Sequence, residues 1–248
     1  MNYRWSVTFC VLAFVITALG QEQPKFSNER HRLTPAEELK SRGIELDRVA
    51  LVEALRNPSP DIRSFAAQEL ALGNAQDTAP AVAEALASEA VPKARVALSY
   101  ALAKLGDTKG IDTLEGVCKD RVSSSYLRLE AARLLVLDLR EERRSCLNSL
   151  LELLRNGSPD SRSGAAWLLS LFRQLSPDDF PRVLQAVVDA LADKDTGVRH
   201  AASHALTVIG TSSAIPHLER ALAIERDEFV RLQMQADLKK LQEKTGHQ

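Results

Sequence analysis

Two stretches of nearly the same sequence decide the fold: Leu55–Ala67 reads LRNPSPDIRSFAA, and Leu154–Ala166 reads LRNGSPDSRSGAA. They begin 99 residues apart, which is three periods of 33. A fixed period of roughly 20–50 residues is the sequence signature of a repeat array. The chain is therefore expected to consist of stacked copies of one small unit.

The second arginine of the motif sets a register for the whole chain. It recurs at 32–37-residue intervals as Arg63, Arg95, Arg128, Arg162, Arg199 and Arg231. Seven residues after each arginine stands a leucine, and apolar or small residues recur at offsets −1 and +3. These offsets fall on one face of an α-helix. The register predicts six helices that bury equivalent faces.

A partner helix is predicted before each of these six. The first begins at Thr34 and runs to about Arg56 with a break at Gly43, and the others read about 79–87, 111–119, 145–155, 178–191 and 214–224. Capping residues are expected at Ser59, Ser123, Ser158 and Asp195, and left-handed stops at Gly73, Gly106 and Gly210. The prediction is an all-α solenoid of about six helical hairpins over residues 34–248.

The N-terminus has a different composition. Arg4 precedes the uncharged apolar run Trp5–Leu19, and Ala18-Leu19-Gly20 offers small residues for signal peptidase. Residues 1–20 are thus predicted to be a secretory signal peptide cleaved before Gln21, and residues 21–33 a linker. An uncleaved membrane anchor is the alternative. The localisation expected is periplasmic or secreted, with no membrane contact beyond this segment.

Bulk composition excludes some functions. The net charge of the 248 residues is −1, without the basic stripe of a nucleic-acid binder. Of the cysteines, only Cys118 and Cys146 follow the signal segment. Their places in the register put them roughly 10 Å apart along parallel helices at 1.5 Å per residue. Because a disulfide needs Cα atoms within about 7 Å, none is expected.

The repeat resembles the HEAT family, in particular its phycobilin-lyase-like subgroup, most clearly at Leu191–Gly210 (LADKDTGVRHAASHALTVIG). The resemblance implies a right-handed solenoid. It also implies a ladder between repeats, formed by an acid six residues before each arginine, as with Asp193 and Arg199. Asn57, Glu89, Asn156 and Glu225 stand at that place in other repeats, whereas the third repeat has Val122 and is expected to lack a rung.

A possible site lies on the face opposite the buried one. We define the aligned column as the residues one or five positions after the register arginines that suit binding: Gln68, Tyr100, Arg133, Trp167, His200 and His204. In HEAT-like solenoids the second helices line the concave surface, so the column is a candidate for binding a protein or peptide. The other interpretation is that Tyr100 and Trp167 pack between neighbouring repeats.

Signs of catalysis are weak. His200 and His204 are four apart and could share a metal, but no third ligand is evident, so no metal or cofactor is expected. The chain has no His-Glu dipeptide, unlike the di-iron hydroxylase built on HEAT-like repeats, and no phosphate loop or nucleophile elbow. The sequence predicts a non-catalytic exported scaffold. The alternatives are a lyase-like or cofactor-handling enzyme and a structural spacer.

Overall fold

The computed structural model describes residues 33–246. The predicted signal peptide and nearly all of the predicted linker lie outside that range. Within it, every helix falls short of the length or the hydropathy needed to cross a bilayer.

The described residues form thirteen α-helices without a strand. The helices are α1 Pro35–Ser41, α2 Arg48–Ala54, α3 Pro60–Leu72, α4 Ala79–Ser88, α5 Pro92–Lys104, α6 Thr108–Lys119, α7 Ser125–Arg133, α8 Arg144–Asn156, α9 Pro159–Leu169, α10 Asp179–Ala190, α11 Thr196–Ile209, α12 Ile215–Ile224 and α13 Glu228–Gly246. Short 3₁₀ turns precede α4 and α12, and a π-helical turn over Leu134–Leu139 extends α7. The predicted α-solenoid is confirmed.

The helices pair as the register predicts, six times. The register arginines lie on α3, α5, α7, α9, α11 and α13, which pack against one another in chain order and form an inner row. The partners α2, α4, α6, α8, α10 and α12 form an outer row. The first partner is broken where predicted, because Gly43 has a φ of 72° between α1 and α2.

Most helix ends lie at the capping residues that the sequence predicted, and two of them are moved by one residue. Ser158 and Asp195 cap α9 and α11 as predicted, whereas α7 is capped by Ser124 in place of Ser123. Gly106 and Gly210 are left-handed, but Gly73 has a φ of −74°, and the left-handed residue there is Asn74. Asparagine tolerates this region better than most residues, so the stop moves one place along.

Two apolar clusters form the core. One runs from Leu39 to Leu105, the other from Val96 to Leu241, and the two meet on α5. Gly110 is needed at the meeting of α5 and α6, because a Cβ there would collide with the backbone of Ser99 and Ala103. Alanine at the +3 and +4 positions also lets neighbouring inner helices pack closely, and Ala66, Ala131 and Ala202 are fully buried.

The expected absence of a disulfide is wrong. Cys118 and Cys146 are fully buried and disulfide-bonded, with Cα atoms 5.6 Å apart. The register argument failed because it matched Cys118 to Glu152, 34 residues on. In the structure Cys118 lies beside Ser149, whose hydroxyl donates to the Cys118 carbonyl. The start of α8 therefore lies beside the end of α6, closer than the register predicts.

Candidate interaction surface

On the first two inner helices, the exposed face is rotated from the one that the sequence predicted. At offset +1, Ser64 and Val96 are buried there, whereas Leu129, Ser163 and His200 on later inner helices stay partly exposed. Residues at offsets +2 and +5 are partly or fully exposed on all of the first five inner helices. We call these the exposed ridge: Phe65, Gln68, Ala97, Tyr100, Glu130, Arg133, Gly164, Trp167, Ala201 and His204.

Tyr100 and Trp167 combine both interpretations of the aligned column. Each is half-buried and packs with one side against the larger apolar cluster, leaving the other side on the ridge. Burial first, and then Asp138, raises the pKa of the Tyr100 hydroxyl, while Arg133 opposes the shift. Tyr100 is therefore a neutral hydrogen-bond donor at any physiological pH.

Arg133 is held by two carboxylates that the sequence argument missed. Its Nε and Nη2 donate to both oxygens of Glu130 at 2.9 Å, and its Nη1 donates to Asp138 at 3.2 Å. The hydrogen bonds that Arg133 donates to Glu130 raise the pKa of Arg133 against the opposing effect of burial. Three of the five guanidinium N–H groups are engaged in this way. The two carboxylates and the one guanidinium leave the centre of the ridge with one net negative charge.

Asp138 could not be placed from the repeat register. It lies in the π-helical turn after α7, which ends at Arg140 with a φ of 61°. A π-helical turn inserts an extra residue, so the positions after it leave the 3.6-residue pattern. The nearest signal in the sequence is the mixed-charge run Arg140–Arg144 (REERR), which begins two residues later.

His200 and His204 are brought together with a buried acid. His200 meets the ring of Phe229 edge-on at 5.6 Å, and His204 Nδ1 lies 3.7 Å from Asp237 Oδ1. Burial lowers the pKa of His200, which Asp237 partly offsets. The second oxygen of Asp237 accepts the Ser203 hydroxyl at 2.7 Å.

This cluster joins α11 to α13. Asp237 is only 5% exposed, although it lies on α13, a helix rich in polar residues. No three metal-ligating side chains converge anywhere in residues 33–246. The arrangement is also not that of a nucleophilic triad, since the buried Ser203 hydroxyl bonds to the acid and not to an imidazole.

The register arginines form inter-repeat bonds that we call rungs when a carboxylate of the next repeat accepts from Nε and Nη2 of one guanidinium. Three rungs are complete, and each bond in them is 2.6–2.8 Å long: Arg63–Glu89, Arg162–Asp193 and Arg199–Glu225. In each, Nη1 donates to carbonyls of the arginine's own turn. The guanidinium thus closes a turn and joins two repeats at once.

The carboxylates of the rungs titrate accordingly. Hydrogen bonds from Arg199 lower the pKa of Glu225 to about 2. Burial alone would raise the pKa of Asp193, but Arg162 and the backbone N–H of Asp195 hold it below its usual value. Both acids therefore stay ionised down to low pH.

Two rungs are incomplete. Val122, 95% exposed, stands where Arg95 would find its acid, and Arg95 only reaches the carbonyls of Leu86 and Glu89 at 3.4 Å. Asn156 stands where Arg128 would find its acid. Arg231, on the last inner helix, is exposed and makes no ion pair within the described range.

A family model of HEAT repeats matches residues 49–136 and 147–239. The chain matches none of the curated proteins. Among solved structures, it is similar to an engineered protein, with 20% identity and a TM-score of 0.50 over 78% of this chain and 97% of that one.

Two further structures are more distant. Human deoxyhypusine hydroxylase in complex with glycerol is 18% identical, with a TM-score of 0.42 over 84% of this chain and 79% of that one. A designed armadillo repeat protein in complex with the peptide (KR)4 is 16% identical, with a TM-score of 0.33 over 83% and 85%. Membership of the phycobilin-lyase-like subgroup stays a prediction. Because the HEAT-repeat model covers well over half of its length, this chain belongs to the HEAT-repeat family.

Proposed function

We propose that the protein is an exported, non-catalytic scaffold that binds a segment of a protein partner along the exposed ridge. The observation that carries the proposal is the row of partly exposed Tyr100, Arg133, Trp167 and His204 on four successive inner helices. Aromatic side chains anchored on one side and open on the other suit binding, because they lose little entropy when a partner covers them.

The composition of the ridge supports a polypeptide partner. Small and large residues recur three positions apart on three inner helices: Ala97 and Tyr100, Gly164 and Trp167, and Ala201 and His204. Arg133 is already paired with Glu130 and Asp138, so we assign it the task of holding these two carboxylates towards the partner. The partner segment is then expected to carry apolar side chains and a cation at its centre.

Export rests on two supports. The N-terminal apolar segment after Arg4 reads as a secretory signal, and the Cys118–Cys146 disulfide suits an oxidising compartment. Mass spectrometry of the protein from the native source would test the cleavage before Gln21. A chromophore or a stoichiometric metal in the purified protein would contradict the non-catalytic part of the proposal.

The binding proposal is tested with peptides selected on the wild-type protein from a random displayed library. Trp167→Ala is expected to weaken the selected peptides at least about tenfold, as truncation of an aromatic anchor does. Phe180→Ala is the matched control, since Phe180 is 38% exposed but lies on the outer helix α10. Circular dichroism checks that each variant is folded.

His204→Ala gives a second test at an exposed position where loss of fold is not expected. The ridge is the wrong surface if the selected peptides bind Trp167→Ala and His204→Ala as tightly as the wild type, or if Phe180→Ala weakens them equally.

A further inference from the structure

A groove at the incomplete rung of Arg128 has an unusual charge. It lies between the outer helices α6 and α8, has a volume of about 520 Å³, and also reaches Arg182 on α10. Its lining includes five cations and a single carboxylate, namely Lys119, Arg121, Arg128, Arg155, Arg182 and Glu152. We call it the basic groove. Its volume lies within the roughly 300–1,000 Å³ of typical ligand sites.

The equivalent groove two repeats earlier is electrically balanced. Between α2 and α4, about 410 Å³ is lined by Arg56, Arg63, Glu84 and Glu89 as its only charged residues. There Arg63 and Glu89 form a complete rung, and Arg56 pairs with Glu84 at 3.5 Å. We call this the neutral groove. Asn156 in place of Glu89 accounts for one charge of the difference, and the basic groove also has three more cations than the neutral groove.

Arg128 has donors left over. It is 6% exposed, and its Nε and Nη2 donate to the Ser149 hydroxyl, with Nη2 also 3.2 Å from Glu152. Its Nη1, which closes the turn in every complete rung, donates to no group in the described part of the chain. Instead, the Asp120 carboxylate closes that turn by accepting from Val122 N and the Ser123 hydroxyl.

The other cations of the basic groove also exceed the acids available to them. Glu152 accepts from both Arg121 and Arg128 at 3.2 Å, so one carboxylate serves two guanidiniums. Lys119 and Arg155 make no ion pair within the described residues. Arg182 is shared between Asp179, at 2.7 Å, and the Asn148 side-chain oxygen. Like charges this close repel one another unless an anion joins them.

We infer that the basic groove binds an acidic side chain, glutamate or aspartate, of a polypeptide partner, which accepts from the unused Nη1 of Arg128 and from Lys119 and Arg155. In the complete rungs a carboxylate stands at the position that Asn156 has here, so the repeat can accommodate an acid at this place. The groove is open to solvent beside Lys119 and Arg155, so backbone on either side of the acid can enter. The site consists of residues from the outer helices and of Arg121 and Arg128, and it shares no residue with the ridge.

Binding is tested by calorimetric titration of an acetylated, amidated hexapeptide Ala-Ala-Glu-Glu-Ala-Ala into the mature protein. The Gln-for-Glu peptide and inorganic phosphate are titrated in parallel. The wild type is expected to bind the glutamate peptide saturably, with an affinity that falls as salt rises, and to bind the glutamine peptide at least about tenfold more weakly.

Asn156→Asp is the decisive variant, because it supplies the missing carboxylate from within the chain. It is expected to weaken the glutamate peptide at least about tenfold while the protein stays folded, whereas Asn156→Ala binds like the wild type. Lys119→Gln with Arg155→Gln should weaken it several-fold. Trp167→Ala should leave it unchanged, which separates this site from the ridge.

Three results would overturn the inference. They are no binding of the glutamate peptide to the wild type, equal binding to wild type and Asn156→Asp, and phosphate that binds as tightly as the peptide. The last would indicate a general anion site and no polypeptide ligand.

Discussion

The neutral groove and the basic groove occupy equivalent places in two pairs of repeats, but only the first has a complete rung. In the neutral groove, the bidentate Arg63–Glu89 bond joins α3 to the turn that follows α4. In the basic groove, the Cys118–Cys146 disulfide and the shared Ser149 hydroxyl join α6 to α8. A covalent bond thus joins two repeats where the rung is incomplete, and Arg128 is left available for other contacts.

The largest expected effect separates a complete rung from an incomplete one. Arg63→Ala leaves the buried Glu89 carboxylate unpaired and should cost about 3–5 kcal/mol of unfolding free energy. Arg95→Ala removes only two long bonds to carbonyls and should cost about 1 kcal/mol. Urea unfolding measures both variants, with hydrogen exchange of α3 and α5 as the local readout. Equal losses would mean that the rung carboxylate adds nothing.

The disulfide comes next. It closes a loop of 28 residues, so replacing both Cys118 and Cys146 with serine should cost about 2–4 kcal/mol. Hydrogen exchange should rise first in α6 and α8 and leave α2 and α4 protected. Alkylation of the unreduced, denatured protein should label neither residue. Free thiols at both positions would contradict the claim that a disulfide joins α6 to α8 where the rung is incomplete.

Acid should weaken the complete rungs alone. The folded-state pKa of Glu225 is about 2, below its ordinary value of 4.5, so its rung stabilises fully above pH 4.5 and is lost as the pH falls towards 2. The free energy of unfolding of Glu225→Gln should therefore be about 1–3 kcal/mol lower than that of the wild type near neutral pH. This difference should disappear between pH 4.5 and 2. A gap that is constant with pH would show that the carboxylate charge is not what stabilises the rung.

The smallest effect is a gain. Val122→Asp places an acid where Arg95 lacks one, and Val122 is so exposed that nothing is lost from the core. The variant should gain at most about 1 kcal/mol, since the new pair is partly solvated. Differential scanning calorimetry in low and high salt measures it. A gain that persists in high salt would not come from the new ion pair.

The fold was predictable because the sequence of each repeat contains signals for the helix starts, an apolar face at helical spacing and the register arginine. The phase of the exposed face was not predictable from one helix. It depends on how closely neighbours pack, which buries Ser64 and Val96 and leaves Trp167 half open. The repeat pattern also does not contain two other features. One is the close approach of α8 to α6 that permits the disulfide, and the other is the π-helical turn that places Asp138.

The incomplete rungs could be predicted from the sequence only in part. Val122 and Asn156 could be recognised in the sequence as departures from the pattern, and Val122 was expected to leave a rung missing. The sequence could not show that Arg128 would turn to Ser149, nor that Lys119, Arg121 and Arg155 would face the same space.

The most direct test follows the arginine side chains themselves. In nitrogen-15 NMR spectra, the Nε–Hε signals of Arg63 and Arg128 are recorded while the glutamate hexapeptide is added. The account predicts that the Arg128 signal shifts and saturates while the Arg63 signal, held by Glu89, stays in place. If both signals move alike, or if Arg128 does not move at peptide concentrations that saturate the protein, the contrast between the grooves has no role in binding.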